Sequence, residues 1–214
     1  MTTETDASAP RQRNARGEGD RLRTDLLEAA AELMAEHGTI EGISLRAVAR
    51  RAGVSATAVY RHFDDHTQLL RESIQFCWSN FLDMLAAAQE GATDPFDAFE
   101  RSGFGYATFA AEHQGQYRVM FSNRIRLVGD TSSIADATFQ ILVDEVTGML
   151  DVLGDDRDPQ FVAVQVHTWI HGIVDLIGCH PEMAWPPIEQ QLDGLRHALG
   201  LLRPDERPVG TPDE

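Results

Sequence analysis

Between Gly42 and Phe63 the chain holds four arginines and no acidic residue, and the window closes on the run Tyr60-Arg61-His62-Phe63. Read as a helix, Ser55, Thr57, Tyr60 and Arg61 share an exposed face, with His62 beside it. That face offers hydrogen-bond donors and acceptors and no negative charge. Such chemistry suits base edges and phosphates in a DNA major groove, which admits one helix. Arg46, Arg50 and Arg51 lie on the helix before it and add positive charge for phosphate. Ser44 caps that helix and falls on the same basic window. A solvated arginine face on a plain helical hairpin accounts for the charge alone.

The spacing inside the window argues for more than charge. Ala49 stands four residues before Gly53, and Val59 six after it. A small side chain lets two helices cross closely, and glycine permits the positive φ of a sharp turn. Val48 and Val59 then meet in the core of a helix-turn-helix. An earlier helix starts at Asp20, with Leu22, Leu26, Ala30, Leu33, Met34 and His37 on one face, and Gly38 ends it. The third helix is expected over 56–63.

These three helices bury too little surface alone, so a long fourth helix over 67–89 must brace them. Asp94-Pro95 and Asp158-Pro159 each read as a cap followed by a first-turn proline. They open helices over 95–112 and 159–178. A short helix over 116–121, a striped helix from Ser133 through Ile134 and Ile141 to Leu153, and a last helix from Ile188 to Leu202 complete the chain. No segment alternates like a strand. The expected fold is all-α: an N-terminal three-helix helix-turn-helix domain followed by a six-helix regulatory and dimerisation domain. The expected divisions are a disordered arm over 1–19, the DNA-binding domain over 20–66, the ligand-binding and dimerisation domain over 67–203, and a disordered tail over 204–214.

Composition sets limits on function. The 214 residues carry 18 basic side chains, all arginine, against 34 acids, for a net charge of −16. That total argues against nucleic acid. The distribution reverses the argument: residues 1–63 hold nine arginines against nine acids, and residues 64–214 hold nine against twenty-five. No secretory leader is expected in the polar first twenty residues, nor a run of about 18 uninterrupted apolar residues to cross a membrane. Cys77 and Cys179 are too few for a disulfide scaffold and are expected as inert core thiols. The protein is expected in the cytoplasm.

The segment GISLRAVARRAGVSATAVYRHFDDHTQLL, with the helix before it, resembles the DNA-binding domain of the TetR (tetracycline-repressor-like) family of transcription regulators. The resemblance covers about residues 20–72. It implies that Tyr60 and His62 contact phosphates, that Thr57, Arg46 and Ser55 sit nearest base edges, and that Val59 and Phe63 are core. It also implies a larger helical domain that dimerises and holds a ligand. The family usually places a lysine at the start of the fourth helix; here His66 follows Asp64 and Asp65, which exchanges a fixed cation for a group near neutrality. The stretch Trp169-Ile170-His171-Gly172 resembles a C-terminal subgroup marked by Trp-x-His-Gly.

The expected function is a ligand-responsive repressor, released from a palindromic double-stranded operator by a small lipophilic molecule and dimerising through the last two helices. Aromatic and polar side chains at helical spacing make Phe104, Phe109, His113, Tyr117, Met120, Phe121, Phe139, Trp169 and His171 the expected pocket lining; plain core packing is the other account of them. No cofactor, metal or membrane partner is expected, and no nucleophile elbow or phosphate loop suggests an enzyme. Two alternatives stay open: a DNA-binding regulator without an inducer, and a metal-dependent enzyme built on His167, His171 and Asp175 at i, i+4 and i+8. The arm with Arg11, Arg13 and Arg16 could reach a minor groove. Deleting residues 1–17 is predicted to weaken operator binding and flatten its salt dependence, measured by anisotropy across a salt series; an unchanged slope removes the arm from the interface.

Overall fold

The computed structural model describes residues 18–122 and 132–207. The arm over 1–17 with its three arginines, the segment 123–131, the Ile134 side chain and residues 208–214 lie outside the described residues. The described elements are all helices: α1 (Glu18–His37), α2 (Leu45–Arg51), α3 (Ala56–Val59), α4 (His66–Gln89), α5 (Pro95–Glu112), α6 (Gln114–Met120), α7 (Ser132–Leu153), α8 (Pro159–Cys179) and α9 (Ile188–Leu199). The all-α order expected from periodicity is the order observed.

Local chemistry sets the helix ends. The Asp94 carboxylate accepts the amides of Phe96 and Asp97 at 2.9 Å ahead of α5. Asp158 accepts from Gln160 at 3.0 Å ahead of α8, and Asp65 from Gln68 at 2.8 Å ahead of α4. Each cap satisfies amides that have no partner inside the helix. After α2, Gly53 adopts φ +68°. The Val54 amide reaches back to the Ala49 carbonyl at 2.9 Å, and the Gly53 amide to Arg50 at 3.3 Å. This paired closure is a Schellman turn, and glycine takes the left-handed position without a Cβ penalty.

The third helix is shorter than its expected span. It ends at Val59, because the amides of Arg61 and His62 bond three residues back, to Ala58 at 3.2 Å and Val59 at 2.9 Å. This tighter winding turns the chain inward. Phe63 then enters the core, 1% exposed.

The head and the body share one core. Leu26, Ala30 and Met34 of α1, Val48 of α2, Val59 and Phe63 bury against Leu69, Leu70 and Ile74 of α4. Arg23 of α1 closes the seam. Its guanidinium donates to the His62 carbonyl and to Glu72 of α4, and lies 4.8 Å from the centre of the Phe63 ring. A second cluster joins Phe96 and Phe99 of α5, Val146, Met149 and Leu150 of α7, Val162 and Val166 of α8, and Leu195 of α9.

Two regions depart from expectation. The chain was expected to be disordered from residue 204, yet residues 204–206 form a turn held by charge. Arg196, 6% exposed, donates to Glu206 at 3.0 Å and to Asp193 at 3.1 Å, while Arg203 pairs with Asp94. Leu201 is fully buried beside them. Helix α8 is long and apolar enough to cross a membrane by length and composition, which was not expected. Its apolar residues divide between two faces: Val162, Ala163, Val166, Ile170 and Val174 are buried, while Phe161, Val164, Trp169 and Leu176 are exposed.

Helix α6 lies directly on α1. A Cβ at Gly115 would stand 2.0 Å from the Ala35 carbonyl oxygen, so the two backbones touch. Beside that contact, Gln116 donates its amide to the Ala31 carbonyl at 3.2 Å. Gly115→Ala is predicted to force the helices apart and lower stability by about 1–3 kcal/mol or more. A urea unfolding series would read this as a lower midpoint; an unchanged midpoint would show that the contact yields freely.

Candidate nucleic-acid interface and ligand cavity

The basic window folds as two capped helices with their polar residues outward. Ser44 accepts the Ala47 amide and Ser55 accepts the Ala58 amide, each at 3.2 Å, so both hydroxyl oxygens are engaged as caps. Ala58 and Val59 are buried, which leaves Thr57, Tyr60 and Arg61 exposed. Tyr60 is 58% exposed, unusual for so large an aromatic side chain inside a packed unit. Arg46 and Arg50 on α2 are exposed and, like Arg61, have no acidic partner among the described residues. His62 is half-buried beneath them.

Two expected contributors are occupied elsewhere. Arg51, counted for phosphate, pairs with Glu32 at 3.1 Å and with Glu36 of α1. That hydrogen bond holds the Glu36 carboxyl below its usual range. The His66 ring lies on the Ile43 carbonyl through Nε2, which binds the start of α4 to the loop before α2. Among the described residues the free cations of the window are therefore Arg46, Arg50 and Arg61.

A cavity of about 430 Å³ opens in the body between α4, α5, α6, α7, α8 and α9. Its volume lies within the range of small-molecule sites. Trp78, Phe81 and Leu85 of α4 form one wall, Met120 of α6 and the following Phe121 another, and Phe139 and Leu142 of α7 a third. Three expected residues, Met120, Phe121 and Phe139, thus line it. Tyr117 and His171 stand behind the wall, where Tyr117 and Tyr106 meet at 3.1 Å and both reach His171 Nδ1. Phe109 is also behind it, packed 4.8 Å from Phe81. His113 is exposed at the α5–α6 junction.

Phe104 and Trp169 were expected in the lining and are not there: they are 45% and 38% exposed. Helix α8 is apolar on several sides, and the buried stripe runs through Ile170 and Val174, about a quarter turn from Trp169. Cys77 is buried, and burial pushes its thiol up to about 12. Cys179, also expected in the core, is exposed at the end of α8.

The polar groups of the cavity are few. His167 stacks on His171 with centroids 5.7 Å apart. Burial holds both imidazoles below their usual range, reinforced at His167 by its neighbour and opposed at His171 by Asp175. Burial likewise raises the phenols of Tyr106 and Tyr117. No group of His, Cys, Asp and Glu among the described residues is arranged to hold a metal. His171 instead serves the two tyrosines, and Asp175 is exposed.

Glu145 of α7 is the residue the sequence reading missed. It is 9% exposed, lines the cavity and is pushed up to about 7, mainly by burial. The signal was available, since an acid at 145 interrupts the apolar stripe between Ile141 and Met149. A carboxyl raised in the folded state stabilises fully below its unfolded value near 4.5 and loses that contribution as pH rises to about 7. Glu145→Gln is therefore predicted to melt a few degrees above the parent at pH 8, a gain of roughly 2 kcal/mol, and to lose that advantage at pH 5. Thermal unfolding at the two pH values checks this; an equal difference at both removes ionisation as the cause.

Comparison with known proteins agrees with the geometry. The family model for bacterial regulatory proteins of the tetR family matches residues 26–73, and that for the tetracyclin repressor-like C-terminal domain matches residues 99–180. No curated protein matches the chain. Among solved structures, the fatty acid degradation regulator FadR from Bacillus halodurans is similar, with TM-score 0.68, 15% identity, and coverage of 87% of this chain and 96% of that one. A TetR-like transcriptional regulator from Rhodococcus sp. RHA1 gives TM-score 0.64 at 18% identity, covering 88% and 97%. A TetR family transcription regulator from Marinobacter aquaeolei VT8 gives 0.67 at 16%, covering 86% and 98%. The two family models together span more than half of the chain, its head and its body alike, and the chain belongs to the TetR family of DNA-binding transcriptional regulators rather than to any class of enzyme.

Proposed function

We propose that this regulator is a repressor that leaves a palindromic operator when a small lipophilic molecule enters the cavity. Residues 20–66 form the DNA-binding domain in this reading, and residues 67–203 the ligand-binding and dimerisation domain. Thr57, Tyr60 and Arg61 with Arg46 face the groove, His62 lies at the backbone, and Ser44, Ser55 and His66 hold the elements that present them. A protein that binds an operator works where the DNA is, so the reading places it in the cytoplasm.

The observation that carries the proposal is a shared wall. Trp78, Phe81 and Leu85 line the cavity from the same helix whose first turns, at Leu69, Leu70 and Ile74, complete the core of the head. Met120 and Phe121 line it from the end of α6 and the residue after it, and α6 rests on α1 through Gly115. A ligand that fits one tilt of α4 better than another shifts the population between two spacings of the heads. Only a spacing near 34 Å suits successive major grooves.

Dimerisation through α8 and α9 accounts for the outer face of α8. Phe161, Val164, Trp169 and Leu176 are exposed along it, and Gly172 has open space where a Cβ would stand. An apolar face of this kind is the usual mark of an association surface, and a two-fold axis would pair the heads with a palindrome.

Genome-wide footprinting on host DNA would locate the operator. Half-sites about one helical turn apart are expected, as is a loss of about 1–3 kcal/mol in operator binding for Arg46→Ala. Operator affinity should fall as a cavity ligand is titrated; affinity that stays constant with the cavity filled would leave a regulator without an inducer. Leu176→Glu is predicted to give a folded monomer at micromolar concentration by sedimentation and to lose at least tenfold in operator affinity. A persistent dimer would move the interface elsewhere.

A further inference from the structure

The acid in the cavity wall says more about a ligand than the apolar lining does. Glu145 Oε1 accepts the side-chain amide of Gln89 from α4. Ser102 Oγ of α5 lies 2.8 Å from Glu145 Oε2 and 3.2 Å from the Phe99 carbonyl. A hydroxyl has one hydrogen for those two acceptors. If the carboxyl is protonated, the chain closes: Glu145 donates to Ser102, Ser102 donates to Phe99, and Gln89 donates to the remaining oxygen. If it is ionised, Ser102 must turn to Glu145, and the charge is left without a counter-ion among the described residues. Among the described residues no arginine pairs with it and none lines the cavity. The imidazole that shares the lining, His167, is held below its usual range by burial and by His171. The other acids on α7, Asp136, Asp144 and Asp151, are exposed and add only negative charge.

A carboxylate of this kind repels an anionic ligand and has nothing to offer a pure hydrocarbon. The aromatic faces of Trp78, Phe81 and Phe139 around the same space attract a cation. We propose that the cavity binds an amphiphilic cation, a lipophilic molecule carrying one basic or quaternary nitrogen, with that nitrogen at Glu145 and its apolar part against the aromatic wall. This rests on the reading of the cavity as the ligand site. It departs from the fatty-acid chemistry in the name of the Bacillus halodurans structure, since a fatty carboxylate would meet Glu145 with like charge.

The test uses the full-length protein at pH 7.5 and three probes of equal chain length below their micelle concentrations: decyltrimethylammonium, decanol and decanoate, each titrated by calorimetry. Glu145→Gln keeps the shape and both hydrogen-bond partners of the side chain but cannot ionise. Leu142→Trp fills the cavity and separates binding inside it from adsorption to the surface. The parent is expected to bind the cation at least tenfold more tightly than decanol, and decanoate most weakly. Glu145→Gln should lose at least tenfold for the cation and stay within twofold for decanol, and Leu142→Trp should lose all three. Equal binding of cation and decanol, a preference for decanoate, or a cation preference that survives in Glu145→Gln would each overturn the assignment to Glu145 while leaving a ligand cavity. Binding that survives in Leu142→Trp, or no binding of any probe to the parent, would overturn the cavity reading and the assignment together.

Discussion

A head of three helices, one of them four residues long, has too little apolar surface to fold by itself, and α4 supplies the missing wall. Leu69, Leu70 and Ile74 lie in one buried cluster with residues of all three head helices, and further along the same 24-residue helix Phe81 and Leu85 line the cavity. Small units bury a lower fraction of their surface and are marginal for that reason. The loan of a helix has a structural consequence. The head cannot be repositioned without moving α4, and α4 cannot be moved without altering the cavity. On the proposed reading, coupling between the two ends is a by-product of how the head attains stability.

Charge is arranged around the same division. The body holds the excess of acid, and the head is basic only over a narrow window. Within that window Arg51 is neutralised by Glu32 and Glu36, so an arginine that raises the local count is structural. What remains outward is a small patch of Arg46, Arg50 and Arg61 with Thr57 and Tyr60. A small patch on a strongly acidic body favours one contact surface over many, because every other face is repelled by phosphate.

Much of the fold was legible in the sequence, because helix ends have local causes. Asp94-Pro95 and Asp158-Pro159 mark starts that the hydrogen bonds reproduce, and Gly53 marks a turn that only a left-handed residue makes. The candidate cavity was much less legible. Periodicity reveals that a side chain is apolar and shares a stripe; it does not reveal whether the stripe faces a packed core, a void or another protein. Met120, Phe121 and Phe139 were recognised, but Tyr117 and His171 lie one layer back and Trp169 looks outward on a helix that is apolar on two faces. Glu145 was passed over because a lone acid inside an apolar stripe has no motif. Its meaning comes from Gln89 and Ser102, which are distant in sequence and adjacent only in the fold.

The seat of Gly115 on Ala35 can also be considered mechanically. Most helix contacts are cushioned by side chains, which absorb a small shift by changing rotamer. A backbone resting on a backbone has no such slack, and densely packed interiors are hard to compress. Where α6 meets α1, the joint is therefore stiff, closer to a hinge bearing than to a spring. A shift of α6 at that contact therefore bears directly on the backbone of α1.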